Sequence, residues 1–343
     1  AAFRTWPELG VVAVRGDDRV SWLNGQITKD VRRLTDPAAG LGVHALAINV
    51  RGKIMAEVWA LVGDAERLLL VVPKAVQSAL LESLERFIIM EDVVLEPQPE
   101  LGLLSVEGPL SAAALTELPS AGVVRFAFDP LGLGGFACVG DQAALSALAQ
   151  ALRQRVPEVS ADVYELVRLR RHKPKLGIDY DEHHYPQEAG LKALVSFQKG
   201  CYLGQEVVCT LENRGKLSKH LCALRTDSAA LPAPGTQLYL AAADSGEAAG
   251  SITSAIWDPE QGVGHVLGYV RRVHAQPGRT LYAGSQPLTL GKLVGEDDVA
   301  PASAQPYASC PRRSSAYSRL RSARSDSSDA CAHVDAGPPR TCR

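Results

Sequence analysis

The sequence predicts an α+β body followed by a separate all-β domain, and three observations carry that expectation. The first is a repeated unit of apolar strand, glycine turn and amphipathic helix: GVVAVRGDDRVSWL (10–23) and GLLSVEGPLSAAAL (102–115) align without a gap. The second is a strand-rich block between those two copies. The third is a change of texture after Lys216, where short strands alternate with Pro-Gly and Gly clusters.

In chain order, each unit's glycine permits the strand-to-helix turn. Between the copies, HALAINV, KIMAEVWALV and RLLLVV read as strands, then a helix from about Lys74 to Phe87 and a strand near Val93 to Glu96. Arg51-Gly52 and Pro73 break these elements apart, and a small sheet with helices over one face accommodates them. FACVGDQAALSALAQAL (136–152) repeats the unit, with Gly140-Asp141 between strand and helix. DVYELVRLRRHKPKLG (162–177) is an arginine-rich helix that must end before Pro174, its arginines lining a cleft or facing solvent. HLCALRT, TQLYLA, GSITSAIW and GHVLGYVRRV are the strands of the all-β domain. The expected organisation is 1–215, 216–298 and a disordered tail at 299–343. The tail's Ala, Ser, Arg and Pro cannot build a core. Its arginines alternate with serines, a pattern able to meet RNA or acidic partners, although a nonfunctional extension explains it better.

A chain of 343 residues exceeds one simple core. Its formal net charge of -2 offers no reason to expect nucleic acid or an anionic membrane as partner. No apolar run approaches the roughly 20 residues that a membrane-spanning helix needs, and the first residues given lack the apolar stretch of a signal peptide. The expectation is a soluble monomer of the bacterial cytoplasm. Because the chain begins Ala1-Ala2 without Met, the mitochondrial matrix, after loss of a targeting peptide, stays open. Seven scattered cysteines with no CxxC pair suit a reducing compartment and speak against structural zinc.

The chemistry concentrates in FQKGCYLGQEVV (197–208). Gly200 and Gly204 allow a sharp turn, Gln205 and Glu206 open a short helix, and Cys201 lies just before it. A helix start and the charge of Lys199 both favour the thiolate form of Cys201. The alternative is a buried cysteine beside a glycine turn.

The octet KGCYLGQE (199–206) resembles the signature of the YgfZ-type folate-binding proteins, relatives of the glycine-cleavage T-protein (aminomethyltransferase). YPQEAGL (185–191) before it and RGK (214–216) after it agree, and the resemblance extends over about Val11 to Val294. It implies a T-protein-like fold: two interleaved α+β subdomains, one ferredoxin-like and inserted at roughly 45–98, and a C-terminal β-barrel, around a central folate-binding hole. Tetrahydrofolate or a derivative is the implied ligand, and iron-sulfur enzymes or assembly factors the implied partners.

On the family pattern, Arg168 keeps a folate-helix position, whereas Arg170 stands where a glutamate is usual and His172 where a glycine is usual. In RGKIMAE (51–57), Ala56 replaces the first acid of the T-protein's acidic pair and Glu57 remains, which disfavours glycine-cleavage aminomethyl transfer. WLNGQITKDV (22–31) resembles a passage near the folate cleft, with Gln26, Thr28 and Asp30 as polar candidates; helix capping by Asn24 or Thr28 is the structural alternative. Tyr202 either stacks beside Cys201 or packs its ring. Glu188 is a candidate partner for Lys199. The catalytic candidates are Cys201 and Lys199; Gln26, Thr28, Asp30, Glu57, Arg168, Glu188, Tyr202, Gly204, Gln205 and Glu206 are the binding candidates. The implied task is iron-sulfur cluster assembly or repair, with folate-dependent one-carbon transfer and noncatalytic folate sensing as alternatives.

Overall fold

The computed structural model describes residues 1–35, 40–118, 121–242 and 246–296; the tail at 299–343, with Cys310, Cys331 and Cys342, lies outside the described residues. Three antiparallel sheets organise the described residues. The five-stranded sheet runs β3 (Gly42–Ile48), β4 (Ile54–Val62), β5 (Arg67–Pro73), β2 (Leu9–Arg15), β6 (Val94–Pro97). The four-stranded sheet runs β1 (Ala2–Thr5), β7 (Leu101–Glu107), β9 (Gly135–Asp141), β8 (Val123–Ala127).

The run LGVVAV is apolar without alternation because β2 is buried on both faces. Val12 and Val14 point into a core shared with α1 (Arg19–Gln26) and α2 (Lys74–Glu85), while Val11 and Ala13 point into a second core shared with Phe126, Phe128 and Val139 of the other sheet. The far side of the four-stranded sheet is covered by α3 (Ser111–Ala114) and α4 (Gln142–Leu152). Helices, sheet, sheet and helices thus form four layers. The strand of the first repeat lies inside the same sheet as the strands between 42 and 97, so that sheet draws on chain outside the expected 45–98 block.

The turn glycines behave unequally. Gly16 has φ +97° and a Cβ there would lie 2.0 Å from the Asp92 carbonyl oxygen, so only glycine fits. Gly140 has an ordinary strand backbone in β9, and its constraint is space, since a Cβ there would lie 2.8 Å from the Gly122 carbonyl oxygen; Asp141 starts α4 by accepting the Ala144 amide at 2.7 Å.

The last sheet runs β11 (Gln237–Leu238), β12 (Gly250–Asp258), β13 (Val263–Arg271), β10 (Lys219–Thr226), β15 (Gln286–Leu293), β14 (Thr280–Ala283). Tyr239 and Tyr282 exchange backbone hydrogen bonds at 2.9 Å each and join its two ends, which makes the sheet barrel-like and protects its edges. Helix α5 (Ala161–Arg170) packs on this barrel through Leu169, capped at its start by Ser160. It stops before Pro174 as expected. His172, where the family's glycine is usual, has φ +54°, so the backbone keeps the left-handed helix end with a residue type that tolerates it. From there the chain crosses the junction of the sheets to α6 (Gln205–Arg214).

Candidate functional site

The signature octet forms an arch in front of α6. Gly204 at its inner end has φ +73°, and a Cβ there would meet the Asn49 carbonyl oxygen at 2.3 Å, so this glycine is obligatory. Gly200 is not: its φ is not positive and its Cβ direction opens onto empty space. Between them Cys201 is exposed, whereas Cys138, Cys209 and Cys222 are buried. Burial pushes the Cys138 thiol up to about 11 and the Cys222 thiol to about 12, which makes both inert at neutral pH. The Tyr202 ring packs among Leu46, Ile48, Ile54 and Tyr180, and Gln205 is buried at the first turn of α6 while Glu206 faces solvent.

Lys199 turns into the body. Only 8% exposed, its ammonium donates to the carbonyls of Asn24 (2.6 Å), Ile27 (2.9 Å) and Lys29 (2.7 Å), and burial lowers its pKa to about 8. Thr28 is a buried tie and not a helix cap: its hydroxyl donates to the Leu194 carbonyl at 2.6 Å and accepts the Leu46 amide at 2.9 Å. Gln26 ends α1, its buried Oε1 without a hydrogen-bond partner. Asp30 is held near pKa 2 by the Arg32 guanidinium beside it. The structure therefore brings Gln26, Thr28, Lys199, Cys201 and Tyr202 into one neighbourhood. Glu188 does not pair with Lys199; its carboxylate accepts the Tyr185 amide at 3.1 Å and lies 3.8 Å from Lys53.

The arginines of α5 neither line a cleft nor face solvent freely. Arg168, 4% exposed, donates to Glu165 (2.8 Å), the Lys173 carbonyl (2.7 Å), Asp179 (2.7 Å) and Ser254 (3.2 Å). Every arm of its guanidinium is engaged in tying α5 to β12, which leaves no donor fork for a folate carboxylate. Arg170 grips Asp258 and Glu260 in the same way and draws the Asp258 carboxyl far below its usual range.

Glu57 sits in a chain of polar and aromatic groups that runs from the five-stranded to the four-stranded sheet. One oxygen meets His44 Nε2 at 2.6 Å and the other accepts the Tyr180 hydroxyl. Burial would raise its pKa, but the hydrogen bond and charge of His44, with the Tyr180 bond, outweigh that and keep the carboxyl lowered. His44 stacks on Trp59 (4.4 Å between ring centres), Trp59 meets Phe128 (5.0 Å), and Phe128 meets Trp6 (5.5 Å). Trp6 Nε1 donates to Ser105 Oγ at 2.8 Å, which donates to Glu107 Oε1 at 2.9 Å. Burial pushes the Glu107 carboxyl up to about 7. Trp59 Nε1, Glu107 Oε2 and, on the barrel, Tyr269 Oη are buried without a hydrogen-bond partner. Sequence reasoning passed over Glu107, Trp59 and Tyr269. A signal existed for one of them: Leu103, Ser105 and Glu107 alternate on the inward face of β7, where an acid is out of place. Among the described residues, no three His, Cys, Asp or Glu side chains are grouped to hold a metal ion.

This architecture is the T-protein fold. A crystal structure of the glycine cleavage system aminomethyltransferase T from Bartonella henselae superposes with a TM-score of 0.74 over 85% of each chain at 19% identity. No family model matches the chain. Its curated relatives include the tRNA-modifying protein YgfZ of Colwellia psychrerythraea, 26% identical over 64% of this chain and 70% of that one. A second is the tRNA-modifying protein YgfZ of Yersinia pestis, 28% identical over 72% of this chain and 77% of the relative. The resemblance of the octet to YgfZ-type proteins thus extends to most of the chain.

Proposed function

We propose that this chain is a YgfZ-type, tetrahydrofolate-binding protein that acts in iron-sulfur cluster assembly or repair in the bacterial cytoplasm, with Cys201 as its functional thiol. The observation that carries the reading is the arch, which exposes Cys201 while the other described cysteines are buried. The relatives' name, tRNA-modifying protein, is consistent with iron-sulfur involvement. The cluster or the enzyme that receives it is the substrate, met at the arch from outside.

The residues present fit a folate. Its pterin alternates donors and acceptors, and the Glu57 chain combines aromatic rings with the unpartnered Trp59 Nε1 and Glu107 Oε2, while Tyr269 Oη on the barrel is likewise unpartnered. Those groups would hold it, in place of Arg168. When bound, tetrahydrofolate supplies one-carbon chemistry. Glu57 holds His44 and Tyr180 in place and, with both oxygens engaged, is poorly placed to take a proton. That disfavours the transferase alternative.

The test has two arms. Calorimetry with tetrahydrofolate should show binding that Trp59→Ala weakens; no binding at millimolar concentration removes the folate half. In a deletion strain, Cys201→Ser should fold and bind folate but fail to restore iron-sulfur enzyme activity. Full rescue by that variant, with expression shown, removes the thiol half.

A further inference from the structure

The octet's lysine has a different task from the one its neighbourhood in sequence suggests. The crest Gly200–Cys201 stands on two feet. At one, the Lys199 ammonium donates its three hydrogens to the carbonyls of Asn24, Ile27 and Lys29. At the other, the Leu203 amide donates to the Gly25 carbonyl at 2.9 Å. All four acceptors belong to the last turn of α1 and the residues after it, where a helix leaves carbonyls without intrahelical donors and where its dipole favours a cation. The seam continues through the Ser196 amide on the Thr28 carbonyl (2.9 Å) and the Thr28 hydroxyl on Leu194.

An ammonium has three hydrogens, and three carbonyls take them. No carboxylate lies within salt-bridge distance of Lys199 among the described residues. On the outer side of the crest the Cβ direction of Gly200 is open among the described residues and Cys201 is exposed.

We propose that Lys199 is a positioning residue, clamping the foot of the arch onto the end of α1 so that Cys201 Sγ is presented at a fixed place, and that it does not serve the thiol as acid, base or counter-charge. This rests on the reading of Cys201 as the functional thiol. Loss of the clamp lets the crest wander, and a misplacement of about 1 Å can cost on the order of a hundredfold in a reaction that needs alignment. A small reagent that attacks Cys201 from any direction is insensitive to that wandering.

Three variants decide it: Lys199→Met, which removes clamp and charge; Lys199→Arg, which keeps the charge but offers a planar fork to three converging carbonyls; and Thr28→Val, which loosens the same seam without touching a charge. Positioning predicts that all three lose about tenfold or more of the iron-sulfur rescue. It also predicts faster amide exchange at Ser196 and Leu203. The pH midpoint of Cys201 alkylation by iodoacetamide should stay where it is in the unsubstituted protein. Activation by charge predicts the opposite pattern: Lys199→Met raises that midpoint by about one unit or more, while Lys199→Arg and Thr28→Val rescue normally. That pattern overturns the proposal, as does unchanged amide exchange in Lys199→Arg. Should Lys199→Met fail to fold, the Arg and Val variants still separate the two. If Cys201→Ser rescues fully, the thiol reading fails on its own, and the exchange data still report whether Lys199 is the clamp.

Discussion

Two stretches of this chain carry cations at positions the family pattern marks, and they use them in contrasting ways. On α5, Arg168 is buried with a carboxylate, Asp179, that is itself 1% exposed, inside a network joining helix to barrel. In the octet, Lys199 is buried against neutral carbonyls, and the outcome is an exposed crest carrying Cys201. The first cation makes the protein rigid at an internal seam. The second makes a small surface feature rigid. A motif cation therefore says where charge is needed, and its acceptors say whether the need is structural or functional.

The largest expected effect comes from breaking the first seam. Arg168→Met leaves Asp179 buried without its charged partner and should cost about 3–5 kcal/mol, read as a lower midpoint in urea unfolding. A loss below about 1 kcal/mol would mean that Ser254, Thr253 and the Lys175 amide suffice for Asp179 and that Arg168 is free for a ligand after all.

Glu107 sharpens the contrast, being a half-buried acid whose inner oxygen, Oε2, is buried without a hydrogen-bond partner. Its folded pKa, about 7, lies above the unfolded value, so between about pH 4.5 and 7 the folded state holds a proton that the unfolded state has lost. Stability from this group is present at low pH and declines as pH rises through that window, by roughly 3 kcal/mol in all. Glu107→Gln, which resembles the protonated acid in shape, should remove that decline and stabilise the protein at pH 8. Equal pH slopes for the two proteins in thermal melts would place Glu107 in contact with water.

The two glycines of the arch give the smallest effects. Gly204→Ala must hold a left-handed backbone and push against Asn49, costing about 2 kcal/mol or more. Gly200→Ala should change stability by no more than about 0.5 kcal/mol. If Gly200→Ala nevertheless abolishes iron-sulfur rescue, the crest is a contact surface where a partner approaches the backbone closely.

Much of the fold was legible in the sequence. The apolar runs, the repeated strand and helix, the stop before Pro174 and the Gly-punctuated strands after Lys216 are local signals, set by side-chain period and backbone freedom. The octet pointed to Cys201 by its glycine-flanked setting together with its resemblance to the YgfZ-type signature. The partners of its cations were not legible. Lys199 finds Asn24 across 175 residues, Arg168 finds Ser254 across 86, and Trp6 finds Ser105 across 99. Periodicity tells which face of an element is buried, but which buried groups then satisfy one another depends on how the four layers and the barrel dock. Only the tertiary structure could turn Lys199 from the thiol's neighbour in sequence into the helix's neighbour in space, because a buried ammonium goes where acceptors converge.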